Sequence, residues 1–219
     1  MKTRPIIQLT ADGSHTLYVS DIDETYHSVY GAISESMFIF IEHGLRTCRN
    51  ETVRALEIGF GSGLNALLTA LEADKTKRKI HYTALELYPV LVQDALMLNY
   101  TDLLENSNVF FDKIHRAPWE EDVEINSFFV IHKVKTDFTT CRLTKMYDVI
   151  YFDSFSPEKQ PEMWEKAGFW KIYAHANPNA VFTTYCAKGS VRRTLQKVGF
   201  RVERLPGPPG KREILRGTL

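Results

Sequence analysis

The sequence is short of cysteine, has no long apolar run and carries no net charge, and each shortage narrows its class. Three scattered cysteines, Cys48, Cys141 and Cys186, form no CxxC pair and leave an odd count. That excludes a disulfide framework and points to reduced thiols in a cytoplasmic setting. No stretch reaches the ~18–20 apolar residues that span a bilayer, and Met1-Lys2-Thr3-Arg4-Pro5 does not open a signal-peptide core, so no membrane partner is expected. Internal repeats, low-complexity segments and linkers are also missing, and 219 residues suit one domain with a sizeable core. Zero net charge hides an uneven distribution. From Lys188 to Arg216 nine basic residues face only Glu203 and Glu213, a local charge of +7, balanced elsewhere by Glu120, Glu121, Asp122 and Glu124. Such a segment is either a solvated face or a surface for a polyanion.

What is present centres on Ala55 to Leu67, where an apolar strand meets an acid, Glu57, and three alternating glycines before a helix. Gly59, Gly61 and Gly63 let the backbone turn tightly and let a ligand approach the main chain. The dinucleotide fingerprint would place its third glycine where Leu64 stands, so the spacing leans away from NAD. A second acid, Glu86, ends the next apolar run at the place where such domains put a carboxylate on ribose hydroxyls. Strand, Glu57, Gly-x-Gly-x-Gly, strand, Glu86 resembles the class I S-adenosyl-L-methionine methyltransferases, whose cofactor carries a sulfonium cation that a carboxylate suits. In a site of that type Asp137, after the strand that starts near Phe128, can bond the adenine amino group; otherwise it is a turn aspartate before Phe138-Thr139-Thr140.

Along the chain, Ile6 to Leu9 and His15 to Val19 flank an Asp12-Gly13 turn and predict a hairpin, followed by a helix over 31–42. Strands are expected at 53–58, 80–86, 127–134, 147–152, 180–185, 200–205 and 212–216, with helices at 63–73, 89–99, 161–175 and 189–198. This alternation predicts an α/β fold: a Rossmann-like, mainly parallel sheet with helices on both faces, plus an N-terminal hairpin and helix extension. Residues 1–50 form the extension and 51–219 the main domain. Ligands of such sheets sit at the carboxyl ends of the strands, where Glu57, Glu86, Asp137 and Asp153 fall.

The segment Tyr147 to Trp164 delivers Asp153 to the sheet rim on a buried strand and then turns through Pro157 and Pro161. Together with Glu57 to Asn65, this segment's Phe152-Asp153-Ser154-Phe155-Ser156-Pro157 resembles the signature blocks of the MnmC methyltransferase family. So do Tyr185-Cys186-Ala187-Lys188-Gly189, Leu205 to Glu213, and the N-terminal Thr10 to Leu17 and Tyr26 to Ala32. Departures are Gln160, where the family commonly has Asn, and Asn177-Pro178-Asn179-Ala180 in place of a Pro-Gly-Gly turn. The resemblance implies methyl transfer from S-adenosyl-L-methionine to the 5-aminomethyl group of a wobble uridine, optionally 2-thiolated, in the anticodon loop of tRNA. It also implies a form without the FAD-dependent oxidase module found fused in some relatives. Cofactor contacts are then expected from Glu57, Gly59, Gly61, Gly63, Asn65, Glu86 and Asp137. Asp153 becomes the catalytic candidate, either a base or a positioner of the amine. Tyr26, Phe155 and Tyr185 supply aromatic cover, with His27 beside them or merely packed; Lys188, Lys211 and Arg212 are the expected phosphate contacts. No metal is expected. A small-molecule amine methyltransferase, or a non-catalytic cofactor-binding protein, would share the fold.

Overall fold

Apolar runs bounded by glycine, proline and polar clusters become strands, and the computed structural model describes them within residues 4–219. Residues 1–3, part of the segment read against a signal peptide, lie outside the described residues. Strands β1 (Ile6–Leu9), β2 (His15–Val19) and β3 (Glu24–Thr25) form a small antiparallel sheet. Asp12 holds its turn by accepting from Ser14 N at 3.0 Å and from Thr10 Oγ1 at 2.8 Å. Helix α1 (Ala32–Ser36) then runs into a π-helical turn, Met37–Glu42, and a 3₁₀ turn, Leu45–Thr47. The predicted helix is therefore two kinds of helix in series.

The main elements are β4 (Thr52–Ile58), α2 (Leu64–Thr76), β5 (Lys79–Glu86), α3 (Val92–Ala95), α4 (Tyr100–Leu103) and α5 (Asn108–Arg116). After these come β6 (Asp122–Asn126), β7 (Phe129–Lys135), β8 (Tyr147–Phe152), α6 (Lys166–Ala174), β9 (Ala176–Thr184), α7 (Gly189–Val198), β10 (Arg201–Pro206) and β11 (Glu213–Thr218). A 3₁₀ turn at Pro161–Trp164 precedes α6. The sheet order is β10-β11-β9-β8-β4-β5-β7-β6. The five central strands are parallel, while β6, β11 and β10 add antiparallel edges. The expected α/β architecture is present, and no helix among the described residues is long and apolar enough to cross a membrane.

Several elements differ from expectation: α4, α5 and β6 have no counterpart among those expected, and β9 begins at Ala176 and takes in the Asn177-Pro178-Asn179 segment read as a turn. The helix read over 89–99 keeps only the short α3, because Asp94 is drawn into an ion pair with Arg4 and Asn99 into the β1–β2 turn, where it accepts from His15 N at 2.7 Å. The acidic run Glu120 to Glu124 leads into the edge strand β6, where charges block further pairing.

One apolar cluster packs α2, α5 and the N-terminal segment against one sheet face, with Leu17, Ile39 and Phe40 sharing it with Leu64 and Leu67. The other gathers α6 and α7 against the opposite face around Phe152, whose ring lies 4.9 Å from Trp164 and 5.2 Å from Phe169. Each such aromatic pair contributes about 1 kcal/mol beyond its burial. These contacts fix the end of β8, and with it the loop that carries Asp153.

Candidate active site

The carboxyl ends of β4, β5, β7, β8 and β9 converge on a cavity of about 200 Å³. Strand β4 has β5 on one side and β8 on the other, so the chain's progression across the sheet reverses there and leaves a crevice. Gly59 has φ +92°, and any Cβ there would collide with the carbonyl of Asp153. Gly61, at φ +50°, would meet the Tyr26 ring at 2.7 Å. Both positions line the cavity, while Gly63 packs beneath against His115 and starts α2.

Glu86 lines the wall at the end of β5 and accepts from Gly61 N at 3.0 Å and Tyr88 N at 2.8 Å, so it shapes the glycine loop as well as facing the crevice. Asp137 uses one oxygen, Oδ1, to accept from Thr139 N and Oγ1, both at 2.7 Å. Its turn role and its place in the cavity wall therefore coexist.

Glu57 and Asn65 lie under the floor, not in the wall. Glu57 is fully buried, and Asn65 Nδ2 donates to Glu57 Oε1 at 3.0 Å and to Asp153 Oδ2 at 2.8 Å. One amide thus ties the strand-end acid to the rim acid. Burial, followed by the nearby Asp153 charge, pushes the Glu57 carboxyl well above the usual range. Asp153 itself is pushed up to about 7, first by burial and then by Glu35; the Asn65 hydrogen bond and Lys211 oppose this. A carboxyl in that range exchanges protons near neutrality.

Aromatic cover comes from Tyr26, whose ring meets Phe155 edge-on at 5.1 Å, and from Tyr185, whose hydroxyl donates to Ser154 O at 2.9 Å. His27 is buried and bonded through Nε2 to Ser62 Oγ at 2.7 Å, which also takes the Tyr100 hydroxyl at 3.2 Å. Burial drives His27 down to about 4, so it is neutral at pH 7 and pins the N-terminal segment to the glycine loop. The sequence gives no local sign of this Ser62–Tyr100 network.

The three expected phosphate contacts separate. Lys188 is exposed at the start of α7 and ion-paired with Glu158. Arg212 is exposed on the final turn. Lys211 instead turns inward, 3.2 Å from Glu35 Oε2 and 4.7 Å from the Tyr185 ring centroid. Among the described residues six carboxylates line the cavity, Glu24, Glu35, Glu86, Asp137, Asp153 and Glu162, and Lys211 is the one lysine or arginine beside them. Glu24 and Glu162 had no distinguishing local pattern in the sequence.

Residues 99–219 match the family of S-adenosyl-L-methionine-dependent methyltransferases. The chain belongs to that family. This methyltransferase is 29% identical over 89% of its length to the tRNA 5-methylaminomethyl-2-thiouridine biosynthesis bifunctional protein MnmC of Hydrogenovibrio crunogenus. It is 30% identical over 94% of its length to the protein of the same name from Cupriavidus metallidurans. It spans 31% and 32% of those two relatives. A crystal structure of MNMC2 from Aquifex aeolicus superposes with a TM-score of 0.79 at 24% identity, covering 100% of this chain and 72% of the other. The Thermotoga maritima spermidine synthase shares the fold at a TM-score of 0.59 and 15% identity, covering 98% of this chain and 72% of the other.

The cavity suits the family's cofactor. Gly59 and Gly61 open the backbone, and the excess of carboxylates favours a cation. Ser154 Oγ, in the wall, has no hydrogen-bond partner among the described residues.

Proposed function

We propose that this methyltransferase acts on tRNA, methylating the aminomethyl nitrogen of a 5-aminomethyluridine or its 2-thio form at the wobble position. The observation that carries the proposal is the acidic, aromatic-walled cavity with Asp153 at its rim, chemistry that suits a cationic cofactor and an amine acceptor together. The names of the relatives supply the nucleoside, and exposed Arg193, Lys197, Arg201, Arg204 and Arg212 supply a surface for RNA phosphates that a small-amine enzyme does not need. A cytoplasmic location belongs to the same proposal, in keeping with three free cysteines. Residues 1–50 are also proposed to be a hairpin and helix extension that is part of the same unit as the methyltransferase domain 51–219; His27 and Tyr26 reach the glycine loop from it.

When bound, S-adenosyl-L-methionine supplies an electrophilic methyl group on sulfur. Gly59 and Gly61 with Glu86 and Asp137 would hold it, and the chain's own groups prepare the acceptor. A primary alkylamine is protonated in water, with a pKa near ~10.4, and its lone pair must be freed. Asp153 receives the ammonium and, poised at about 7, takes its proton. Asn65 keeps the Asp153 carboxylate aimed, and Tyr26, Phe155 and Tyr185 lower local polarity, which favours the neutral amine. Methyl uptake by an anticodon stem-loop RNA carrying 5-aminomethyluridine, and none by the same RNA carrying 5-methyluridine, is the expected result. Equal uptake by both, or by neither, overturns the proposal.

A further inference from the structure

We infer that Lys211 recognises the acceptor, donating a hydrogen bond to a carbonyl oxygen on the ring that bears the methylated aminomethyl group. The inference rests on the tRNA reading above and extends it from the amine to the rest of the base.

Lys211 is held inside the cavity from three directions. The loop it ends is closed by Lys211 N donating to Pro208 O at 2.9 Å and Gly207 N donating to Arg212 O at 3.1 Å. Gly210, at φ +82°, lies against the Tyr30 ring so closely that a Cβ would collide with it. Glu35 is itself fixed, buried on α1 with Oε1 accepting from Ser28 N at 3.1 Å, and its other oxygen meets Lys211. The N-terminal and C-terminal segments thus interlock to aim one ammonium.

That ammonium is an odd choice for a site that admits an amine. As a stabilising device it adds little, since a buried ion pair seldom improves on apolar packing. Its charge does have a use in recognition. An ammonium has three N–H donors; the Glu35 carboxylate at 3.2 Å and the Tyr185 ring face flank its charge from two sides, and donor capacity is left for a ligand. The surrounding groups, Glu35 on α1, Asp153 after β8 and Glu24 on β3, are all acceptors when ionised, so none of them can bind a carbonyl oxygen. Lys211 alone among the charged wall residues can. An acidic cavity would otherwise welcome any polyamine; a fixed cation beside Asp153 repels a second positive charge and rewards an oxygen in its place. The acceptor class so defined is a primary amine one carbon from a ring, with a carbonyl oxygen on the adjacent ring atom. In 5-aminomethyluridine that oxygen is O4.

The test compares stem-loop RNAs carrying 5-aminomethyluridine or 5-aminomethylpyrimidin-2-one, which lacks the 4-oxygen, with the wild-type chain and Lys211→Met. Wild type is expected to lose about 10- to 100-fold in kcat/KM without the oxygen, the range for a charged hydrogen bond. Lys211→Met is expected to fall by a similar factor on the complete base and to treat the two RNAs alike, with cofactor affinity unchanged in a direct titration. Lys211→Gln, shorter and polar but uncharged, is expected to reduce the discrimination likewise, so the test stands if the Met variant does not fold. Oxygen discrimination as strong in both variants as in wild type overturns the inference while leaving methyl transfer intact, as does a wild type that treats the two RNAs alike. A wild type that binds cofactor but methylates neither RNA overturns the tRNA reading and this inference with it.

Discussion

Replacing Asp153 by Asn should cost activity and add stability, and the two effects should share one pH dependence. The carboxyl is raised from an ordinary value of about 3.9 to about 7, chiefly by burial. The folded state therefore holds the proton more tightly than the unfolded chain. Stability falls as pH rises from about 4 to 7, and the cost of the buried charge is fully present above 7. Three pH units correspond to at most about 4 kcal/mol; because the side chain is only half-buried and sits at an open crevice, solvent screening leaves about 1–2 kcal/mol. Asn carries no charge, and its oxygen can keep the 2.8 Å bond from Asn65. For a chain of this size, Asp153→Asn should raise Tm by roughly 3–6 °C at pH 8 and by little at pH 4.5. Methyl transfer should drop by about 10²–10⁴-fold, and the wild-type kcat/KM should rise with pH through about 7 as the carboxylate forms. Thermal melts at the two pH values, with rates measured alongside, decide the matter. A variant no more stable at pH 8 than at 4.5, relative to wild type, refutes the buried-charge reasoning; a variant with full activity refutes the role in proton transfer.

Three further outcomes follow from the same geometry. Asp137→Ala should weaken cofactor affinity by about tenfold, one hydrogen bond to a charged group, with Tm nearly unchanged; isothermal titration measures it. Asn65→Ala removes the amide that joins Glu57 to Asp153 and takes a donor from both carboxyls, so chemical denaturation should show a loss of about 1–3 kcal/mol. Changing Arg193, Lys197 and Arg201 together to Gln should lower the salt slope of tRNA binding by about 2 while cofactor affinity stays constant; an unchanged slope would place the RNA elsewhere.

The parallel core was legible in the sequence because β4, β5, β8 and β9 are buried on both faces and read as continuous apolar runs. The rim positions of Asp153 and Glu86 were legible for a related reason: Glu86 is the last residue of β5 and Asp153 follows the last residue of β8. Helix α5 was not expected although Phe111, Ile114 and His115 carry a helical spacing, since it is only nine residues long. The inward turn of Lys211 had no local signal. It depends on Glu35 and Tyr30, more than 170 residues earlier in the chain, and a lysine beside an arginine after a proline-rich turn looks like surface charge. Glu57 is placed differently from Glu86: near the end of a strand as well, it is fully buried beneath the cavity and accepts from Asn65.

The most direct measurement is transfer of labelled methyl from S-adenosyl-L-methionine to tRNA from a strain lacking this gene, followed by nucleoside digestion, with Asp153→Asn run in parallel. Label should appear in a 5-methylaminomethyl-uridine nucleoside with the wild-type chain and be lost with the variant. Label in another nucleoside, or none in tRNA while the cofactor still binds, contradicts the wobble-uridine assignment.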